Sequence, residues 1–224
     1  MRGRRGRGGW AMGFGLALAA SAVAQAAAPS GNGVARLSWR AGEVSVQRGA
    51  AGGQAAEPSA AWTPGGVNTP LLAGDRVATA AGARVEIGLD YADFLRLDGG
   101  TQTTLLTLRS DDLQASVEHG RADVAVLRGA RANAEIDTPL VAVRPRGEGV
   151  FRVDVRSDDQ TVITVRQGAA DVSTPHGSAL VRAGETMTVM GADDPQYQIV
   201  DAAPADGWDA WNAARDRRIE DARS

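Results

Sequence analysis

From Ala35 onward, polar and apolar residues trade places with a period of two, as in Arg84-Val85-Glu86-Ile87-Gly88-Leu89 and Phe151-Arg152-Val153-Asp154-Val155-Arg156. Arg96-Leu97 and its neighbours follow the same rule. Such alternation predicts strands that bury one face and solvate the other. The run beginning at Phe151 passes through Ser157-Asp158-Asp159-Gln160 into Thr161-Val162-Ile163-Thr164-Val165, which predicts a hairpin with a polar turn. A second hairpin is expected about Arg128-Gly129-Ala130, joining Ala122–Leu127 to Ala134–Asp137. The pattern changes at Asp206: Trp208, Trp211, Arg215 and Ile219 recur at three and four residues, which predicts a C-terminal amphipathic helix capped by Asp206. Ala202-Ala203-Pro204 reads as the linker before it.

A weak internal repeat underlies the alternation. Trp39-Arg40-Ala41-Gly42-Glu43-Val44-Ser45-Val46 aligns with Val165-Arg166-Gln167-Gly168-Ala169-Ala170-Asp171-Val172, and Val117-Glu118-His119-Gly120-Arg121-Ala122-Asp123-Val124 fits the same pattern. Each copy reads as strand, glycine corner, strand. Gly74 follows the first copy and Gly184 the second, at different distances, and the loop Gly49–Ala61 absorbs most of the difference. The expected fold is therefore all-β with short strands, coiled as a β-solenoid or closed as a sandwich or roll. Tight glycine corners favour the solenoid, and irregular spacing favours the sandwich or roll.

The N-terminus obeys different rules. Arg2, Arg4, Arg5 and Arg7 precede a charge-free stretch from Trp10 that ends in Ala24-Gln25-Ala26. This order predicts a secretory signal peptide over 1–26, cleaved after Ala26, and a linker over 27–34. The apolar stretch is short for a membrane span, so membrane attachment is expected only if the segment stays uncleaved. The β domain is expected over 35–200, with a linker and helix over 201–224, in the periplasm or secreted beyond it. Without the leader, 20 basic residues face 27 acidic ones, a net charge of −7 that disfavours nucleic acid as a partner.

Composition removes much of the remaining chemistry. The 224 residues include no cysteine, and all 24 basic residues are arginine. Disulfides, thiolate metal sites, thiol nucleophiles, Schiff bases and a P-loop lysine are thereby excluded. His119 and His176 lie far apart beside predicted turns, with no metal-ligand spacing. Asp111-Asp112, Asp158-Asp159 and Asp193-Asp194 fall in predicted turns, where aspartate bonds its own backbone. No catalytic residue, metal or cofactor is expected. Trp208 and Trp211 remain, either docking the helix on the β body or, with Arg215 and Arg218 beside them, facing a partner as an aromatic anchor.

Four strings in order carry a resemblance: Ile136-Asp137-Thr138-Pro139; Gly149-Val150-Phe151-Arg152-Val153-Asp154-Val155; Thr164-Val165-Arg166-Gln167-Gly168 leading into Asp171-Val172; and Arg182-Ala183-Gly184-Glu185. Together they resemble the FecR-domain family of bacterial envelope proteins. Trp208 and Trp211 with Arg215-Asp216-Arg217-Arg218 resemble the segment that follows the domain in a proteobacterial subgroup. The resemblance implies a periplasmic β domain without catalysis. In the family's iron-uptake members, a cytoplasmic anti-sigma segment and a transmembrane helix precede that domain, which relays a receptor's state to a sigma factor. A chain that opens on a signal peptide departs from that plan. The expected function is an envelope sensory, regulatory or scaffolding module acting through an envelope protein partner. The alternative is a peptidoglycan- or polysaccharide-binding module, for which Trp39, Trp62, Tyr91, Phe94, Phe151 and Tyr197 are the available aromatics.

Overall fold

The computed structural model describes residues 33–50 and 52–224, so the expected signal peptide and its cleavage site lie outside the described residues. Strands β1 (Ala35–Ala41), β2 (Val44–Gln47), β3 (Trp62–Pro64), β4 (Pro70–Leu71), β5 (Arg76–Thr79) and β6 (Arg84–Gly88) come first. Next are β7 (Asp93–Leu97), β8 (Gln102–Leu108), the long β9 (Asp112–Val126), β10 (Asn133–Asp137), β11 (Ala142–Pro145) and β12 (Gly149–Ser157). The last are β13 (Gln160–Gln167), β14 (Ala169–Thr174), β15 (Gly177–Arg182), β16 (Glu185–Met190) and β17 (Gln196–Asp201), followed by helix α1 (Gly207–Asp221).

Pairing sorts the strands into two layers. Sheet I runs β4-β1-β6-β7-β9-β12-β13-β16-β17. Sheet II runs β3-β2-β5-β8-β9-β10-β11-β14-β15. Strand β9 belongs to both: residues to His119 pair in sheet II, and residues from Gly120 pair in sheet I. Gly120 makes the bend possible. Its φ is +91°, and a Cβ there would meet the Thr101 backbone at 2.6 Å. Gly42 and Gly168, at φ +75° and +80°, turn the chain from sheet I to sheet II in the same way, so the three aligned glycines are three inter-sheet corners.

The inner faces close on one hydrophobic core. Leu37, Ile87, Leu95, Leu97, Phe151, Ile163 and Met187 from sheet I pack with Val46, Val77, Leu105, Val117, Val143, Val172 and Val181 from sheet II in a single buried cluster. Alternation along each strand supplies this arrangement directly. The result is a sandwich-like roll. A solenoid would stack parallel strands, whereas every pairing here is antiparallel except β9 with β10. That exception also corrects the second expected hairpin. The turn after β9 carries the chain into the other sheet, where Asn133–Asp137 runs parallel to Asp112–Ser116, rather than folding it back on Ala122–Leu127. The hairpin of β12 and β13 forms as expected, closed at Ser157 and Gln160.

Candidate functional site: the docked tail helix

Helix α1 lies on the outer face of sheet I as a third layer. Its start follows from the sequence: Asp206 Oδ1 accepts from the Trp208 and Asp209 N–H groups at 2.9 and 3.0 Å, and Asp209 Oδ2 accepts from the Asp206 N–H at 2.8 Å. This reciprocal capping box satisfies amides that the helix itself leaves open. The face turned to the sheet is aromatic and charged more than apolar, with Trp208, Asp209 and Asn212 buried.

Three tryptophans form the dry end of the contact. Trp208 is 2% exposed and stacks on Trp211 with centroids 5.0 Å apart, and Trp211 meets Trp39 of β1 at 5.2 Å. A register shift between Leu37 and Trp39 in β1 places both Ser38 and Trp39 beside Glu86 of β6. The Arg84 guanidinium lies 5.3 Å from the Trp208 ring and 5.5 Å from Trp211, and the Arg215 guanidinium lies 5.6 Å from Trp39. At the far end, Ile219 packs on Phe94, Ala125 and Leu127.

Between these ends the contact is ionic. Glu86, Arg96, Asp123 and Arg152 stand directly opposite one another on β6, β7, β9 and β12, so one row across sheet I alternates in charge. A parallel row of Arg84, Asp98, Arg121 and Asp154 is linked by ion pairs. Helix residues complete the first row. Arg215 grips Glu86 through two bonds, Nε to Oε2 at 3.0 Å and Nη2 to Oε1 at 2.6 Å. Arg96 donates to Glu86 at 2.9 Å and meets Asp216 at 2.6 Å, and Ser38 donates to Glu86 at 2.7 Å. At the helix N-terminus, Arg166 holds Asp209 through both oxygens, at 3.1 and 2.7 Å, while Arg152 donates to Asp206 at 2.9 Å.

Burial and pairing compete at each carboxylate. Burial pushes Glu86 up, but the Arg215 bond, the Arg96 charge and Ser38 outweigh it and hold the group below its ordinary range. Burial likewise disfavours the Arg96 cation, and Asp216, Glu86 and Asp123 overcome it, so Arg96 stays charged. Asp123 has no such rescue. Its two oxygens are buried without a hydrogen-bond partner, and desolvation raises its carboxyl to about 7 against the opposing pull of Arg96 and Arg152. Asp93, buried at the end of β7 and also without a hydrogen-bond partner, is raised to about 7 by desolvation and by Asp90.

Of the expected contact residues, Trp208 and Trp211 therefore face sheet I, Arg215 is half-buried against Glu86, and Arg218 is exposed. The sheet residues they meet were read from the sequence only as solvated polar positions. The structure corrects that reading: Glu86, Arg96 and Asp123 have no solvent exposure because the helix covers them. The six candidate platform aromatics do not form one open platform: Phe151 is in the core, Trp39 packs on Trp211 of α1, Tyr91 borders the same groove as the buried Phe94 beside α1, and Trp62 and Tyr197 sit on other strands. Asp158-Asp159 and Asp193-Asp194 lie at a turn and a bend, and Asp111-Asp112 sits at the bend that opens β9. Among the described residues, no cluster of three or more histidines or carboxylates is placed to hold a metal ion.

A family model described as FecR protein matches residues 75–171. The matched span runs from β5 to the middle of β14, and the core of the β body extends beyond it, to Ala35 before it and to Val189 after it. Two crystal structures of a protein designated an anti-sigma factor, from Parabacteroides distasonis ATCC 8503, are similar at 21% and 20% identity, each with a TM-score of 0.49. Each alignment covers 56% of this chain and 59% of the other. No curated protein matches the chain.

Proposed function

We propose that this FecR-domain chain is an exported, non-enzymatic module that serves a sensory or regulatory role in the bacterial envelope through contacts with another protein. The observation that carries this reading is the FecR match over residues 75–171, the strands at the centre of both sheets. The physical form of the molecule supports contact with a protein. Strand β17 ends sheet I with all six residues exposed, Tyr197, Ile199 and Val200 among them, and an edge of this kind accepts a partner strand through its free backbone groups. Among the described residues, no helix is long and apolar enough to cross a membrane. The N-terminal basic and apolar pattern would direct export, with cleavage after Ala26 and release to the periplasm.

In-cell crosslinking followed by mass spectrometry on the tagged full-length chain tests the proposal. The expected outcome is a discrete envelope protein crosslinked to the β body or to α1, on a mature chain that begins at Ala27. Recovery of sacculus or polysaccharide fragments alone would overturn it in favour of a glycan-binding role.

A further inference from the structure

Many arginines among the described residues are matched by carboxylates, as Arg76 is with Glu118 and Arg144 with Glu135. A groove of about 440 Å³ between the C-terminal half of α1 and strands β1, β6 and β7 breaks that pattern. Arg36 reaches it from β1, and Arg218 and Arg223 from the end of the helix. Among the described residues, Arg36 and Arg218 have no carboxylate partner, and the Arg223 guanidinium donates only to the Arg128 carbonyl at 2.9 Å. The carboxylate lining the groove, Asp90, already accepts from the Ala92 and Asp93 N–H groups. The charge of Arg215, which also lines the groove, is consumed by Glu86. Local charge is therefore positive on a body whose mature sequence is net acidic. The floor is apolar, made by Phe94 and Ile219.

We propose that this groove binds an acidic peptide segment of a partner protein, its carboxylates on Arg36 and Arg218 and an apolar side chain on the Phe94–Ile219 floor. The inference deepens the protein-contact reading above and rests on it. Guanidinium forks suit carboxylates, and an apolar floor beside them adds the desolvated contact that a charge pair on an open surface lacks. A sugar fits less well. One face of the Tyr91 ring, the exposed aromatic at this site, is already taken by Arg223 at 4.9 Å, and a sugar stacking there would have to displace that cation.

The test uses the purified chain and three probes in fluorescence anisotropy: a labelled hexapeptide Asp-Glu-Leu-Phe-Asp-Glu, its Asn/Gln counterpart, and labelled polygalacturonate. The expected result is tenfold or greater preference for the acidic peptide over the neutral one, and tenfold or greater loss in an Arg36→Glu/Arg218→Glu variant. Both side chains are exposed, so the thermal midpoint of that variant should stay within a degree or two. An Arg156→Glu/Arg182→Glu variant, exposed elsewhere on the body, should bind the peptide like the parent. Equal affinity for acidic and neutral peptides, or equal loss in both variants, would overturn the proposal, as would tighter binding of polygalacturonate that is lost with Arg36 and Arg218. A crosslinked protein partner whose contacts lie away from this groove would overturn the groove assignment while leaving the wider reading intact.

Discussion

The outer faces of the two sheets are built from the same kind of sequence and live in different solvents. On sheet II, Arg144 and Glu135 pair at 2.8 Å and Arg146 and Asp171 at 2.6 Å, with both arginine side chains 57% exposed. On sheet I, Arg96 and Glu86 pair at 2.9 Å with side-chain exposures of 0% and 1%. Alternating charge is cheap to leave in water and costly to bury, so only the covered face demands that nearly every group be matched. Helix α1 brings Arg215, Asp209 and Asp216 to that face, which makes the tail an integral layer. It is the charge complement of sheet I.

The largest test of this contrast is Arg96→Met. It leaves Glu86 and Asp216 buried without the cation between them, and a loss of about 3–5 kcal/mol in urea unfolding is expected. Trp208→Ala should cost a similar amount, roughly 3–5 kcal/mol, because it empties a stacked and buried position. It should also expose the tail to protease before the β body unfolds. Asp123→Asn sharpens the comparison through pH. A carboxyl raised to about 7 in the fold and ordinary when unfolded favours the fold fully below about pH 4, and that contribution is lost as pH climbs to about 7. Between pH 5 and 8, where Glu86 is already ionised, the parent should lose stability and the variant should lose less, with a relative gain on the order of 2–4 kcal/mol at pH 8. Asp206→Ala should cost about 1–2 kcal/mol by removing the helix cap. Smallest of all is Arg144→Ala on sheet II, with an expected change below about 1 kcal/mol.

Much of the fold was legible because its signals are local. Period-two alternation marks the strands, and Gly42, Gly120 and Gly168 mark corners where the chain changes sheets. The Arg128–Ala130 turn misled because a turn fixes only a reversal of direction, whereas the sheet that β10 joins is settled by distant strands. The same limit governs the site. The helical spacing of Trp208, Trp211, Arg215 and Ile219 is visible within twelve residues, but the partner of Arg215 lies 129 residues away on β6. Nothing in the alternation around Glu86 distinguishes a polar face in water from one beneath a helix. Matched signs on successive strands, glutamate then arginine then aspartate then arginine, are the available signal, and they become a row only once strand order is known.

The most direct measurement is a pair of double-mutant cycles by urea denaturation, one on Glu86 and Arg215 across the helix–sheet contact and one on Glu135 and Arg144 on the open face. The expected coupling is about 1.5 kcal/mol or more for the first pair and under about 0.5 kcal/mol for the second. Equal couplings would contradict the claim that α1 docks through buried charge.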